Sequence, residues 1–105
     1  MAAVLKQLAS LNLTAAGTAQ AFSATTVLAQ TVILNAKTGN TGLIYVGDAD
    51  VDATNAAFSL AAGETVIIHM PVISGGNADT DLSKWYFDGG TTNDDLLVGY
   101  IQRTN

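Results

Sequence analysis

Glu64-Thr65-Val66-Ile67-Ile68-His69-Met70-Pro71 is the stretch on which the fold turns. Thr65, Val66, Ile67 and Ile68 are β-branched, stiff at χ1 and suited to a pleated surface. Pro71 has no N–H to give a ladder, so it ends the strand or sits at an edge. The run carries large apolar residues on both faces, as does Leu96 to Arg103. Working outward, Thr31 to Ala36 reads as a strand with Val32, Leu34 and Ala36 on one side and Ile33 on the other. Leu43 to Gly47, Ala57 to Leu60 and Lys84 to Asp88 are further strands, and Leu11 to Leu13 and Ala19 to Ser23 are weaker ones. Clusters rich in Gly, Asn, Asp, Thr and Ser separate them, the punctuation of roughly eight short strands in a sandwich or jelly roll. The Thr38-Gly39-Asn40-Thr41-Gly42 turn is expected to close a hairpin between Thr31–Ala36 and Leu43–Gly47.

The resulting expectation is all-β: an antiparallel, jelly-roll-like β-sandwich over residues 13–105, preceded by an N-terminal arm or short helix over 1–12. Val4, Leu8 and Leu11 fall at i, i+4 and i+7, the spacing of one helix face, while an extended arm laid on a neighbour accommodates them equally. A helix this short is marginal in water, so either form needs a packing partner.

The 105 residues suffice for one domain, and 49% hydrophobic residues supply its core. Four Lys and Arg against nine Asp and Glu leave a net charge of -5. Lys6, Lys37, Lys84 and Arg103 are scattered, which argues against nucleic acid and against anionic membrane surfaces. The chain has no cysteine, so it holds no disulfide and no thiolate metal site. The first residues lack the apolar run of a signal peptide, and none is expected.

Candidate chemistry is sparse. Asp48, Asp50 and Asp52 form the D-x-D-x-D opening of a calcium loop. The sixth and twelfth positions hold Ala53 and Ser59, where an EF-hand needs Gly and Glu. They remain weak cation ligands beside the simpler reading of a solvated turn. Asp79, Asp81, Asp94 and Asp95 could pair for acid–base work only in a cleft. His69 is the only histidine and has no partner set for a metal, and no serine sits in a G-x-S-x-G elbow. Trp85-Tyr86-Phe87 offers either a stacking platform for sugars or two core rings and one surface ring. Gly75-Gly76 and Gly89-Gly90 match no phosphate loop. Asn12-Leu13-Thr14 is a formal glycosylation sequon. No catalytic residue and no cofactor is expected.

Four stretches carry a resemblance: Leu13 to Ala19, Thr41-Gly42-Leu43-Ile44-Tyr45-Val46-Gly47-Asp48, Leu60-Ala61-Ala62-Gly63-Glu64, and Leu82-Ser83-Lys84-Trp85-Tyr86-Phe87-Asp88-Gly89. With these the chain, over roughly residues 13–101, resembles the β-sandwich capsid decoration (cement) proteins of tailed bacteriophages. The resemblance implies a non-enzymatic virion protein on the outer capsid surface, made in the bacterial host cytoplasm, with the major capsid protein as partner. It also implies a homo-oligomer, a trimer by preference. On that reading Tyr45, Tyr86, Tyr100 and Ile101 are the expected subunit contacts, and Val4, Leu5 and Leu8 the expected shell contacts. A tail, neck or baseplate component is the alternative within virion proteins. A glycan-binding module using Trp85 or Tyr86 is the alternative outside them.

Overall fold

The computed structural model describes residues 2–73, 76–77 and 79–104. Of the Ser74–Asp81 loop and its Gly75-Gly76 pair, Ser74, Gly75 and Ala78 lie outside the described residues. The strands in chain order are β1 (Ala2–Gln7), β2 (Leu11–Asn12), β3 (Gln20–Ala21), β4 (Leu28–Ala29), β5 (Thr31–Ala36), β6 (Ile44–Gly47) and β7 (Phe58–Leu60). They continue with β8 (Thr65–His69), β9 (Val72–Ile73), β10 (Gly76–Asn77), β11 (Thr80–Asp81), β12 (Tyr86–Gly89) and β13 (Asp95–Thr104). Among the described residues the only helical piece is a 3-10 turn at Leu82–Lys84, capped by Asp81.

Two antiparallel sheets make the sandwich. One runs β1-β13-β5-β8, with β2 also on β13, and the other runs β3-β12-β6-β7. Short β4-β11 and β9-β10 pairs complete the ladders. Residues directly opposite in an antiparallel pair share a face, so the register sorts each strand. Val32, Leu34 and Ala36 of β5 oppose Tyr100, Val98 and Leu96 of β13 and point into the core. From the second sheet Ile44, Val46, Leu60 and Phe87 meet them, with Leu13, Phe22 and Leu82 filling between. Phe22 packs on Phe87 edge-on at 5.8 Å and on Trp85 at 5.9 Å, placing both of those rings on the core side.

The expected hairpin between Thr31–Ala36 and Leu43–Gly47 does not form. β5 pairs with β13 and β8, while β6 lies in the other sheet beside β12 and β7. The turn after β5 is drawn away by the connection between β12 and β13. The Asp94 carboxylate, 5% exposed, accepts from the Thr41 and Gly42 backbone N–H groups at 3.0 and 2.8 Å. The Asn40 side chain brackets Asp95, accepting from its N–H and donating to its carbonyl at 2.8 Å each. A Cβ on Gly42 would stand 2.8 Å from the Thr91 hydroxyl and 3.3 Å from the Thr91 backbone nitrogen, so a side chain here would press on the β12–β13 connection. The turn thereby becomes an arch between sheets.

The N-terminal segment is extended and paired, and the helical alternative is not what the chain adopts. β1 runs antiparallel to β13 with Gln7 opposite Gly99, and β2 follows on the same strand with Leu11 opposite Leu96. Residues 8–10 therefore lie opposite residues 97–98, one residue too many, which is a β-bulge. The bulge reverses the alternation. Val4 and Leu8 precede it and Leu11 follows it, and all three land on the core-side face. Their helix-like spacing is the signature of a bulged strand.

Candidate functional site

Several acidic side chains of the described residues hold turns. Asp48 Oδ1 accepts from the Asp50 N–H at 2.9 Å, and Asp52 Oδ1 from the Thr54 N–H and hydroxyl at 2.9 and 3.0 Å. Asp48 and Asp52 thus each build a turn in which the Asp side chain mimics a backbone acceptor, while Asp50 takes part through its backbone, its carbonyl accepting from the Asn55 side chain at 3.3 Å. No group of three or more acidic or histidine side chains stands at metal-ligand spacing among the described residues. Backbone and side-chain hydrogen bonds from Thr54 hold the Asp52 carboxyl below the ordinary 3.8, and those from Ser83 do the same at Asp81. Asp88, 2% exposed, accepts from the Gly17 and Gly89 N–H groups through one oxygen. His69 ends β8 and pairs its Nδ1 with the Thr31 hydroxyl at 3.0 Å.

A cleft of about 450 Å³ opens at one end of the sandwich, walled by Val46, Ala57, Phe58, Ile68 and Trp85, with Asp48 and Lys84 also lining it. The Trp85 indole N–H donates to the Thr80 hydroxyl at 2.7 Å, which fixes the ring.

The distinguishing surface is the outer face of the β1-β13-β5-β8 sheet. On it the register sets Leu5 beside Ile101, and Ile33 between Gly99 and Ile67. Leu97 continues the face beside Asn35. Leu5 is 68% exposed and Ile67 56%. A Cβ on Gly99 would lie 3.7 Å from Ile33 Cβ, so this glycine leaves a shallow dent between the apolar side chains. Gln7, Thr65, Asn35, His69 and Arg103 stand around its margin, and Thr31 lies within it between Ile101 and His69, buried and bonded to the His69 ring. Arg103 is paired with Asp79 at 2.8 Å. An uncovered apolar patch ringed by polar groups is the usual form of a contact surface.

Comparison with known protein families, with curated proteins and with solved structures finds no match to this chain.

The residues expected as contacts fall in three places. Ile101 and Leu5 are on the apolar outer face. Tyr45 and Tyr86 are half-buried on the outer face of the opposite sheet, where Tyr45 opposes Asp88 and Tyr86 opposes Gly47. Tyr100 is 7% exposed and belongs to the core, so as a subunit contact it is corrected. Its position directly opposite Val32 turns it inward. Leu8 is on the core-side face, half-buried against the core. Val4 is on the core-side face but remains exposed. Sequence reading missed Ile33, Ile67 and Leu97 as members of one surface. Two-sided apolar strands signalled such a surface, but only the pairing of β5, β8 and β13 brings these three together.

Proposed function

We propose that this chain is a non-enzymatic structural protein of a bacteriophage virion, bound to the outer surface of the capsid as a decoration protein that stabilises the shell. The observation that carries this reading is the uncovered apolar face formed by Leu5, Ile33, Ile67, Leu97 and Ile101. Leu5, Ile67 and Leu97 are its exposed members and Ile33 and Ile101 are half-buried between them, so covering the face contributes part of what a fully exposed aliphatic side chain would give at each position, about 1.5–3 kcal/mol. The resemblance of the Thr41–Asp48, Leu60–Glu64 and Leu82–Gly89 stretches to capsid decoration proteins supplies the particular partner, the major capsid protein. Adhesion repeated over many copies needs only modest individual contacts. Self-association into a homo-oligomer belongs to the same reading.

Quantitative mass spectrometry of virions purified from the cells that make this chain tests the proposal. Copies in a fixed, high ratio to the major capsid protein support it. A handful per particle would place the chain in the tail, neck or baseplate, and absence from particles would refute a virion role.

A further inference from the structure

Five strands lie at the edges of the two sheets: β1, β2 and β8 in one, β3 and β7 in the other. β2 and β3 have two residues each and β7 three. β8 is longer, but Pro71 follows it closely. β1 is different. It spans six residues, every one exposed, without proline and with Lys6 as its only charge. Its bulge lies after it, between Gln7 and Leu11, so the edge itself is regular. Among the described residues no strand pairs on its outer side. Long, regular, apolar edges recruit another strand unless charge, proline or a bulge blunts them.

We propose that β1 pairs antiparallel with β1 of a second copy of this chain, about a twofold axis through Leu5, joining the two β1-β13-β5-β8 sheets into one. The proposal rests on the reading of the protein as one that assembles, and it gives a twofold joint in place of the trimer that the resemblance implies.

The register follows from backbone alternation. The Leu8 N–H donates to the Val98 carbonyl at 3.0 Å. In an antiparallel pair the residues that exchange hydrogen bonds recur at every second position. Lys6 and Val4 therefore direct their N–H and C=O groups at β13, and Ala3, Leu5 and Gln7 direct theirs at the open edge. A twofold perpendicular to the sheet keeps each face on its own side, so opposed residues must have the same parity. Centring on Leu5 sets Leu5 against Leu5 and Ala3 against Gln7, using every outward group of the strand in roughly six hydrogen bonds. Centring on Val4 would leave Gln7 without an opposite number in β1. The Leu5 register also lays the most exposed apolar side chain of the face against its own copy and makes the two apolar faces continuous. Lys6 then opposes Val4, so the strand's cations do not meet. The edge is self-complementary, which is what an isologous contact requires.

The test uses the full chain. Light scattering over a dilution series is expected to give a dimer that dissociates on dilution. Leu5→Pro removes an N–H that points away from β13 and leaves the intramolecular pairing intact, so it is expected to yield a monomer with unchanged thermal unfolding. The chain has no cysteine, so Leu5→Cys reports the register by itself. Opposed hydrogen-bonded residues lie about 5.5 Å apart, within disulfide reach. Oxidation is expected to cross-link Leu5→Cys efficiently, and Ala3→Cys at least tenfold less. A monomer, a trimer, or equal cross-linking at both positions would overturn the twofold joint. If Leu5→Pro loses capsid binding while the parent protein is monomeric, the strand's partner is the shell, and the virion reading survives without this joint. If neither self-association nor particle binding is found, both fall.

Discussion

Asp94→Ala removes the carboxylate that anchors the arch between the two sheets. The Asp94 carboxylate is 5% exposed and holds two backbone donors, Thr41 N–H at 3.0 Å and Gly42 N–H at 2.8 Å. Hydrogen bonds to a charged group contribute about 1.5–3 kcal/mol each. Thr41 is exposed and Gly42 half-buried, so water recovers part of the loss. The net destabilisation is about 2–3 kcal/mol, and for a domain of this size that lowers Tm by roughly 10–20 °C. Asp94→Asn keeps the shape but turns an amide NH2 toward one of the two donors, and it is expected to recover less than half of the loss. Thermal unfolding by circular dichroism measures all three proteins. A fall of less than about 3 °C for Asp94→Ala would refute the claim that this carboxylate holds the arch between the sheets.

Gly89→Ala places a Cβ 2.9 Å from Leu13 Cδ2 and 3.0 Å from the Leu43 carbonyl oxygen, and backbone cannot yield cheaply, so a loss of about 1–3 kcal/mol is expected in denaturant unfolding. Asp52 and Asp81 have carboxyls held below the ordinary 3.8 by hydrogen bonds to the ionised form. Their contribution to stability is therefore complete above that value and lost as pH falls through the lower folded values. Tm followed from about pH 5 to pH 2 should drop less steeply in Asp81→Asn than in the parent, and identical slopes would contradict the assignment. Ile67→Asp with Leu97→Asp should leave Tm within about 3 °C, because both side chains are exposed, while abolishing particle binding in a co-sedimentation assay. Retained binding would remove the apolar face from the account.

The strands were legible because their chemistry is local. Thr31–Ala36 coincides with β5, and the β-branched run before Pro71 falls within one residue of β8 at each end. The partners of those strands were less legible. The turn after β5 has the composition of a hairpin loop, yet Asp94 and Asn40 engage it with a segment more than fifty residues away in sequence. No local pattern distinguishes an aspartate that anchors an arch from one that faces water. The N-terminal arm shows the same limit. Val4, Leu8 and Leu11 have helical spacing, and only the change of register on β13 reveals that a bulge produces it. Which face Tyr100 and Leu8 occupy is likewise set by the register, which places both on the core side. The apolar surface was anticipated as a property of two-sided strands, whereas its membership, Ile33 with Ile67 and Leu5 with Ile101, required the pairing.

If the outer face of the β1-β13-β5-β8 sheet is a contact surface on a larger particle, cryo-electron microscopy of purified virions carrying this chain will show it. Density for the sandwich is expected on the outside of the shell, with Ile33, Ile67 and Leu97 turned toward the capsid lattice or a neighbouring copy. Density in which that face is open to solvent, with the Tyr45–Tyr86 face against the shell instead, would contradict it.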